Sequence, residues 1–189
     1  MKKRLYRVII ILSVFFITRC LISCCEEGYF YSWNSLTSEF LNSETNEIVN
    51  DSVKSEFLIL KLTLNNKLAM TNSFGISKSV AFDCEPLYSA QDPIKEIEII
   101  SLSAFNSTTP PNANISKYFL GILPELDKQE RTLKEIIEKI EKEENEPYES
   151  IDLFFSTQPE FEDYFQFEIR VILESGNVLA TLTEEIKIK

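Results

Sequence analysis

Histidine is absent from this sequence of 189 residues. Its absence excludes Ser-His-Asp and Cys-His catalysis, zinc sites with histidine ligands, and pH switches built on an imidazole. Glycine is scarce: there are four residues, and none of them belongs to a G-x-G-x-x-G motif or a phosphate-binding loop. These two shortages argue against a nucleotide-binding enzyme.

Basic residues are also few, with 19 Lys and Arg against 30 Asp and Glu. Five of the basic residues and no acidic residue lie in positions 1–23, so residues 24–189 have 14 basic and 30 acidic residues, a formal net charge of −16. Such a surface repels phosphate backbones, and we therefore expect no nucleic-acid partner. The hydrophobic content of 44%, with 14 Phe, is enough for a packed core.

Long hydrophobic runs are missing as well. Residues 8–22 are the main apolar stretch; they follow Lys2-Lys3-Arg4 and are interrupted by Arg19. Fifteen residues are too few to cross a hydrocarbon core, which takes about 20. A basic start, a short apolar stretch and a small residue before the cut are typical of a secretory signal, here residues 1–23. A transmembrane anchor and a plain signal with an incidental cysteine are the alternatives.

The end of this stretch, Leu21-Ile22-Ser23-Cys24, resembles the lipobox of bacterial lipoproteins. The resemblance implies that Cys24 is lipidated and becomes the first mature residue, with residues 24–28 as a tether. Because the bacterial modification carries three acyl chains, where one chain binds only marginally, the anchor would be permanent. Cys20 fits the lipobox less well because Arg19 precedes it, where a small residue is expected. If Cys25 were the lipidated residue, Cys24 would occupy the position before the cleavage site, where serine is more usual.

Two short motifs concern the location and modification of the chain. Glu26 and Glu27 resemble the acidic signal that sends Bacteroidetes lipoproteins to the outer face of the outer membrane; a solvated charge pair is the alternative. Asp51-Ser52-Val53 resembles a three-residue O-glycosylation site of Bacteroidetes envelope proteins, with Ser52 as the acceptor, although so short a motif also arises by chance. We expect a lipid-anchored envelope protein of the outer membrane, exposed at the cell surface if the acidic signal is genuine.

Two thiols remain once Cys24 is lipidated, Cys25 and Cys84. An even pair in an oxidising envelope favours a disulfide. That bridge would close a loop of about 60 residues and add roughly 4 kcal/mol in the chain-entropy model. Two free thiols are the alternative.

Alternating apolar residues predict strands separated by turns. The predicted strands are residues 29–33, 54–64, 79–84, 94–105, 164–173 and 178–189. The alternation of residues 94–105 shifts near Ile99-Ile100, which indicates either a bulge or a strand with two buried faces. Residues 36–53 are predicted as a loop, and Asn65-Asn66 and residues 175–177 as turns. In the return strand, the residues predicted to line one buried face are Val178, Ala180, Leu182, Ile186 and Ile188.

One helix is predicted over residues 128–145, with Asp127 as its cap and Glu130 three residues on. Its apolar residues recur at helical spacing: Leu133, Ile136, Ile137 and Ile140. Strands without a repeating strand-helix alternation favour an antiparallel β-sandwich, Ig-like, with this amphipathic helix inserted. Residues 29–189 are thus predicted to form a single mostly β domain.

Several segments together resemble a family of small Bacteroidetes lipoproteins classed only as a domain of unknown function. They are Cys24-Cys25, Tyr29-Phe30-Tyr31, residues 81–86 leading into residues 94–99, and the closing hairpin. The resemblance implies pairing of Cys25 with Cys84, and it supplies no catalytic or ligand residues. Relative to that pattern, the helix of residues 128–145 is an insertion.

Two further groups of residues could bind a ligand. Glu160, Glu162 and Asp163 can supply oxygen ligands to Ca²⁺, but their spacing is not that of an EF-hand, and we expect a solvated turn without a metal. Tyr29, Tyr31 and Trp33 can stack on sugars, although alternating aromatic residues in a strand more often belong to a core. No cofactor is expected.

The function expected is therefore that of a non-catalytic lipoprotein, whose sandwich binds an envelope protein or glycan or has a structural role. The alternative is a histidine-free hydrolase that uses two carboxylates on glycans. The 30 acidic residues offer too many pairs for the sequence to choose one.

Overall fold

A computed structural model describes residues 28–69, 87–142, 147–148 and 150–189. Within these ranges the chain forms twelve strands and one α-helix. The elements are β1 (Gly28–Asn42), β2 (Ser52–Val53), β3 (Leu58–Ala69), β4 (Leu87–Ala90), β5 (Ile94–Ser101), β6 (Ala113–Asn114), β7 (Phe119–Ile122), α1 (Leu133–Lys142), β8 (Ser150–Phe155), β9 (Asp163–Phe165), β10 (Phe167–Leu173), β11 (Val178–Leu182) and β12 (Ile186–Ile188). Short 3-10 turns at Ser55–Phe57 and Ser116–Tyr118 lead into β3 and β7.

Two large sheets stack face to face. One has the order β4-β1-β3-β8-β7 and the other the order β11-β10-β5-β6, while β2, β12 and β9 form a smaller third sheet. Pairing is antiparallel except between β1 and β4 and between β2 and β12. Rings meet across the sandwich: that of Phe167 on β10 lies 6.1 Å from that of Phe40 on β1. The predicted mostly β sandwich with one helix is confirmed, and two of its strand pairs are parallel.

The core follows from alternation along the central strands. Every second residue of β10, from Phe167 to Leu173, is buried, and so is Phe165 in β9. They share one hydrophobic cluster with Leu60 and Leu62 of β3. The prediction that the strand of residues 164–173 faces the same core as β3 is therefore confirmed.

The helix is shorter than predicted and begins later. Thr132 caps it: its Oγ1 accepts the N–H of Glu135 at 3.3 Å, and the carboxylate of Glu135 accepts the N–H of Thr132 at 2.8 Å. Asp127, the predicted cap, instead accepts the N–H of Gln129 and an N–H of the Arg131 guanidinium. The predicted apolar stripe of α1 is buried, and the helix packs against β5 and β7.

Two predicted irregular segments are strands. β1 continues to Asn42, so the first part of the predicted loop is paired with β3. Asn65 and Asn66 lie within β3 rather than in a turn. They face the irregularity of β1 between Trp33 and Ser35, and the side-chain amide of Asn65 donates to Ser35 Oγ at 3.0 Å. The register shift of β1 absorbs these polar residues without ending the strand.

The bulge predicted near Ile99-Ile100 is wrong, because the irregularity of β5 lies near the start of the strand. The strand ends at Ser101, and its alternation breaks between Ile94 and Ile97 rather than near Ile99. At that point the pairing with β10 shifts between Ile172 and Leu173. β5 therefore has one extra residue at this point, and the side chains on either side of it alternate in opposite phase.

The closing hairpin has the predicted turn, but its return strand faces the other way. Val178 lies opposite Ile172, and directly opposed residues of an antiparallel pair project to the same face. Ile172 alternates with buried Val171 and Leu173, so its side chain projects away from the core, and Val178 does the same. The prediction that Val178, Ala180 and Leu182 are buried is wrong, since all three are exposed.

The chain beyond β11 does not extend that strand. It turns away after Leu182, and β12 then pairs with β9 and β2. Ile186 and Ile188, both predicted to be buried, are buried in this third sheet. Among the described residues, no helix is both long and apolar enough to span a membrane.

Candidate functional site

All of the residues predicted to carry the anchor, the sorting signal and the bridge lie outside the described residues. These are Cys24, Cys25, Glu26, Glu27 and Cys84, together with the predicted strand of residues 79–84. Ser52, the predicted glycosylation site, lies in β2, where it pairs with Lys187 of β12. It is half-buried, while the next residue, Val53, is buried in the core. Because side chains alternate along a strand, Ser52 projects away from the core.

The predicted acidic turn has a structural role. The carboxylate of Glu160 accepts the backbone N–H of Ser107 at 2.6 Å, which ties two loops together. Asp163 begins β9, and its carboxylate accepts the N–H of Tyr164 at 2.8 Å. In the part of the chain that the structure describes, no group of three or more His, Cys, Asp or Glu residues is placed to hold a metal.

The predicted aromatic strand divides between core and surface. Tyr31 and Trp33 are buried with ring centroids 4.9 Å apart, and burial raises the pKa of Tyr31 to about 12. They belong to the core, so stacking on sugars is wrong for this pair. Tyr29 stacks instead on Tyr88 of β4 at 5.5 Å, and both rings are half-buried.

The same end of the sheet exposes two more apolar side chains. Phe30 is 43% exposed and Leu68 is 51% exposed. We call these four residues, Tyr29, Phe30, Leu68 and Tyr88, the aromatic end. The sequence predicts only part of the aromatic end: it places Tyr29 and Phe30 in a strand, but it gives no sign of the parallel strand β4 that brings Tyr88 beside them. Parallel neighbours can be distant in the chain, so a local pattern does not reveal them.

A row of charged side chains crosses the outer face of the larger sheet. Glu39, Lys61 and Asp152 lie directly opposite one another on β1, β3 and β8. Lys61 Nζ lies 3.7 Å from a Glu39 carboxylate oxygen. Burial raises the pKa of Asp152; nearby Lys61 lowers it, and the carboxylates of Glu125 and Glu39 raise it further. The row therefore contains one carboxyl group that holds its proton more readily than an ordinary aspartate.

A depression of about 400 Å³ lies at one edge of this sheet. Two carboxylates line it, those of Glu39 and Glu184, together with the exposed side chain of Ile48. The other lining residues are Ser38, Phe40, Val49 and Asn50. The sequence does not predict this grouping, because it indicates a loop over residues 36–53 and because Glu184 comes from the far end of the chain.

The exposed side of β11 is the remaining surface of note. Val178 is 51% exposed and Leu182 is 55% exposed, with Ala180 between them. On β10, beside this strand, Arg170 and Glu168 form a two-contact ion pair with distances of 2.9 and 3.0 Å. On the outer face of the four-stranded sheet, the exposed apolar side chains of β11 therefore lie beside the ion pair of β10.

Comparisons with known proteins add little. No family model matches the chain. No curated protein matches it. Among solved structures, a chain described as "BspA_C_WT" is similar with 12% sequence identity and a TM-score of 0.30, covering 82% of this chain and 50% of that one. This chain thus spans half the length of that structure, and so low a TM-score carries no argument about fold or function.

Proposed function

We propose that this protein is a lipid-anchored envelope protein of the outer membrane, whose sandwich is a non-catalytic binding or structural module. The observation that carries the proposal is the position of the aromatic end. The first described strand begins at Gly28, four positions after Cys24. Since an extended residue spans at most about 3.4 Å, the chain holds the Cα atom of Tyr29 within roughly 17 Å of the Cα atom of a lipidated Cys24.

Partly exposed tyrosine rings suit that location. Tyrosine is enriched at the membrane–water interface, because its ring is apolar and its hydroxyl group can hydrogen-bond to water. The rest of the surface is acidic, with a formal net charge of −16 in residues 24–189, and is repelled by anionic lipid. In this proposal the acyl chains and the aromatic end hold the module at the membrane, and the other surfaces remain free for an envelope protein or a glycan.

The anchor is tested by changing the lipidated residue. Cys24→Ser should abolish fatty-acid labelling of the full chain and release the protein from the membrane fraction. Cys25→Ser is the matched control, and should keep both the label and the membrane association. Labelling that survives Cys24→Ser, or that is lost in Cys25→Ser, would contradict the assignment.

A hydrolase is the second candidate function, and one observation favours it: Glu39 and Glu184 line the same depression. Glycoside hydrolysis uses two carboxyl groups flanking the bond that is cleaved. Wild-type protein and the variants Glu39→Gln and Glu184→Gln should be assayed on envelope glycans. The module proposal expects no hydrolysis by any of them. If the wild type hydrolyses a glycan and the rate falls at least about a hundredfold in each variant, the module proposal is wrong and the protein is a hydrolase.

A further inference from the structure

The aromatic end extends beyond the sheet that faces it. The ring of Phe167, at the start of β10, lies 6.1 Å from that of Phe40, near the far end of β1. The seven residues of β10 span roughly 20 Å at about 3.3 Å per residue, and β5 pairs with β10 along the same length. Roughly 36 Å of β1 separate Phe40 from Tyr29 at the same rise per residue. The four-stranded sheet therefore stops short of the aromatic end.

Apolar side chains project from both faces of this end of the sheet. Leu68 lies opposite Tyr31 and shares its face, which is the inner face because Tyr31 belongs to the core. Phe30 alternates with Tyr29 and Tyr31, so its side chain projects from the outer face. Both Phe30 and Leu68 are exposed. The hydrophobic effect has no direction, so a bilayer suits apolar groups on both faces, whereas a docked protein covers one face.

The proposed anchor brings this end of the sheet to the bilayer. β1 begins at Gly28, so even a fully extended chain keeps its first Cα atom within roughly 14 Å of that of Cys24. So short a tether makes docking of the aromatic end an intramolecular event, for which weak apolar contacts suffice. Without the lipid the same small patch is too weak to hold the protein on a membrane, which agrees with the release expected of the Cys24→Ser chain.

The third sheet lies at the opposite end of β1. β1 ends at Asn42, and the N–H of the next residue, Ser43, donates to the carbonyl oxygen of Phe57 at 2.8 Å. In the same 3-10 turn, Ser55 donates its N–H to the carbonyl oxygen of Lys189, directly after β12, at 3.1 Å. The fifteen residues of β1 span roughly 46 Å. The third sheet and the aromatic end are therefore the two poles of the domain along β1.

We propose that the aromatic end enters the interfacial layer of the bilayer, with lipid against both of its faces, and that β1 thereby stands upright with the third sheet outermost. The inference rests on the proposed anchor at Cys24 and adds an orientation to it. Lying flat is unfavourable, because the outer face of the larger sheet carries Glu39, Lys61 and Asp152 and that of the four-stranded sheet carries the ion pair of Arg170. In the upright orientation, an envelope partner meets the third sheet first.

The test compares the reactivity of three lysines toward a membrane-impermeant amine reagent, read by mass spectrometry. The lipidated chain on phosphatidylcholine vesicles is compared with the soluble Cys24→Ser chain. Lys67 lies beside the aromatic end, Lys61 on the outer face of the larger sheet, and Lys54 next to the third sheet. Anchoring should slow the labelling of Lys67 at least about tenfold, which corresponds to a docked fraction of about 90%. Lys61 and Lys54 should react at unchanged rates.

Two double variants of the lipidated chain separate the aromatic end from other apolar surface. Phe30→Ser/Leu68→Ser should return the labelling of Lys67 to the rate of the soluble chain, because the apolar contacts with lipid are removed. Val178→Ser/Leu182→Ser is the matched control: it replaces two similarly exposed apolar residues on β11 and should leave Lys67 protected. The comparison of anchored with soluble wild type needs neither variant, so it decides the question even if a variant fails to fold.

Several outcomes would overturn the orientation. Equally fast labelling of Lys67 in both samples would mean that this end stays out of the bilayer, and equally slow labelling would mean that the chain itself covers it. Protection of Lys61 would mean that the module lies on a sheet face, and protection of Lys67 in whole envelopes but not on vesicles would assign the aromatic end to a protein partner. A chain that carries the fatty acid but leaves Lys67 reactive refutes the orientation alone. A chain without fatty acid on Cys24 refutes the anchor and the orientation together.

Discussion

Phe167 is the residue whose truncation should cost this fold most. It is fully buried in β10, and rings of the facing large sheet and of the third sheet lie close to it. Its ring centroid lies 6.0 Å from that of Phe119, 6.1 Å from those of Phe40 and Phe165, and 6.3 Å from that of Phe155. Phe167→Ala therefore removes apolar burial and four aromatic contacts at the point where the sheets meet.

The expected cost is about 4–5 kcal/mol of unfolding free energy. Truncation of a buried phenylalanine costs about 3–5 kcal/mol through lost transfer energy and the cavity left behind. Aromatic pairs add about 0.5–1.5 kcal/mol each beyond burial, which places this site at the upper end. In a domain of this size, that corresponds to a fall in Tm of about 10–20 °C.

Urea unfolding, followed by the fluorescence of the single Trp33 and by far-ultraviolet circular dichroism, measures this cost. The midpoint should fall while the m-value stays constant, since the area exposed on unfolding hardly changes. Phe161→Ala is the matched control: Phe161 is 44% exposed, and its truncation should cost under about 1 kcal/mol. If Phe167→Ala cannot be isolated folded, Phe167→Leu should still cost about 1–2 kcal/mol.

Equal losses at Phe167 and Phe161 would refute the reasoning, because they would mean that the sheets do not meet around Phe167. Gln166, the neighbouring residue, is not a neutral control. Its side-chain amide donates to the carbonyl oxygen of Thr183 at 2.9 Å, so truncation would remove a contact that ties β10 to the end of β11.

Two further predictions concern pH and redox state. Hydrogen bonds from the Arg131 guanidinium lower the pKa of Asp127 from 3.8 to about 2, so its contribution to stability is complete above about pH 4 and is lost as the pH falls toward 2. Asp127→Asn should therefore melt below wild type at pH 6 and at the same temperature near pH 2; an equal gap at both pH values would contradict the ion pair. Non-reducing peptide mapping of protein taken directly from the envelope should join Cys25 to Cys84, and free thiols at both positions would remove the bridge.

The sequence alone predicts which face of a strand is buried when apolar residues occupy only every second position. In β10, apolar residues alternate with Gln166, Glu168 and Arg170, so only one face can be buried. In β11, both phases are apolar, with Val178, Ala180 and Leu182 in one and Leu179 in the other. Alternation cannot choose between them; the pairing of Val178 with Ile172 does. Register across a hairpin is tertiary information that one strand does not contain.

The helix start shows a similar ambiguity. Asp127 with Glu130 and Thr132 with Glu135 both have the spacing of a capping box. The structure uses the second, because Arg131 is still held in an extended bridge to Gly121 and cannot enter the helix. No local pattern reports that contact.

For the candidate sites, the sequence predicts an anchor, and the structure shows the surfaces. The prediction of lipidation at Cys24 rests on four consecutive residues and stays a prediction. The grouping of Glu39 with Glu184, and of Tyr29 with Tyr88, depends on strands far apart in the chain. Such groupings are set by sheet topology rather than by spacing, so composition and periodicity do not reveal them.

The parallel pairing of β2 with β12 bears on how fast this chain folds. It joins Ser52 to Lys187, which are 135 positions apart, and it buries Val53 beside Ile188. Closing so large a loop costs entropy before any contact is gained, and folds dominated by distant pairings form in milliseconds to seconds rather than microseconds. The third sheet therefore cannot nucleate folding and must form late. The hairpin of β10 and β11 closes a far shorter loop, so we expect it to form before the third sheet does.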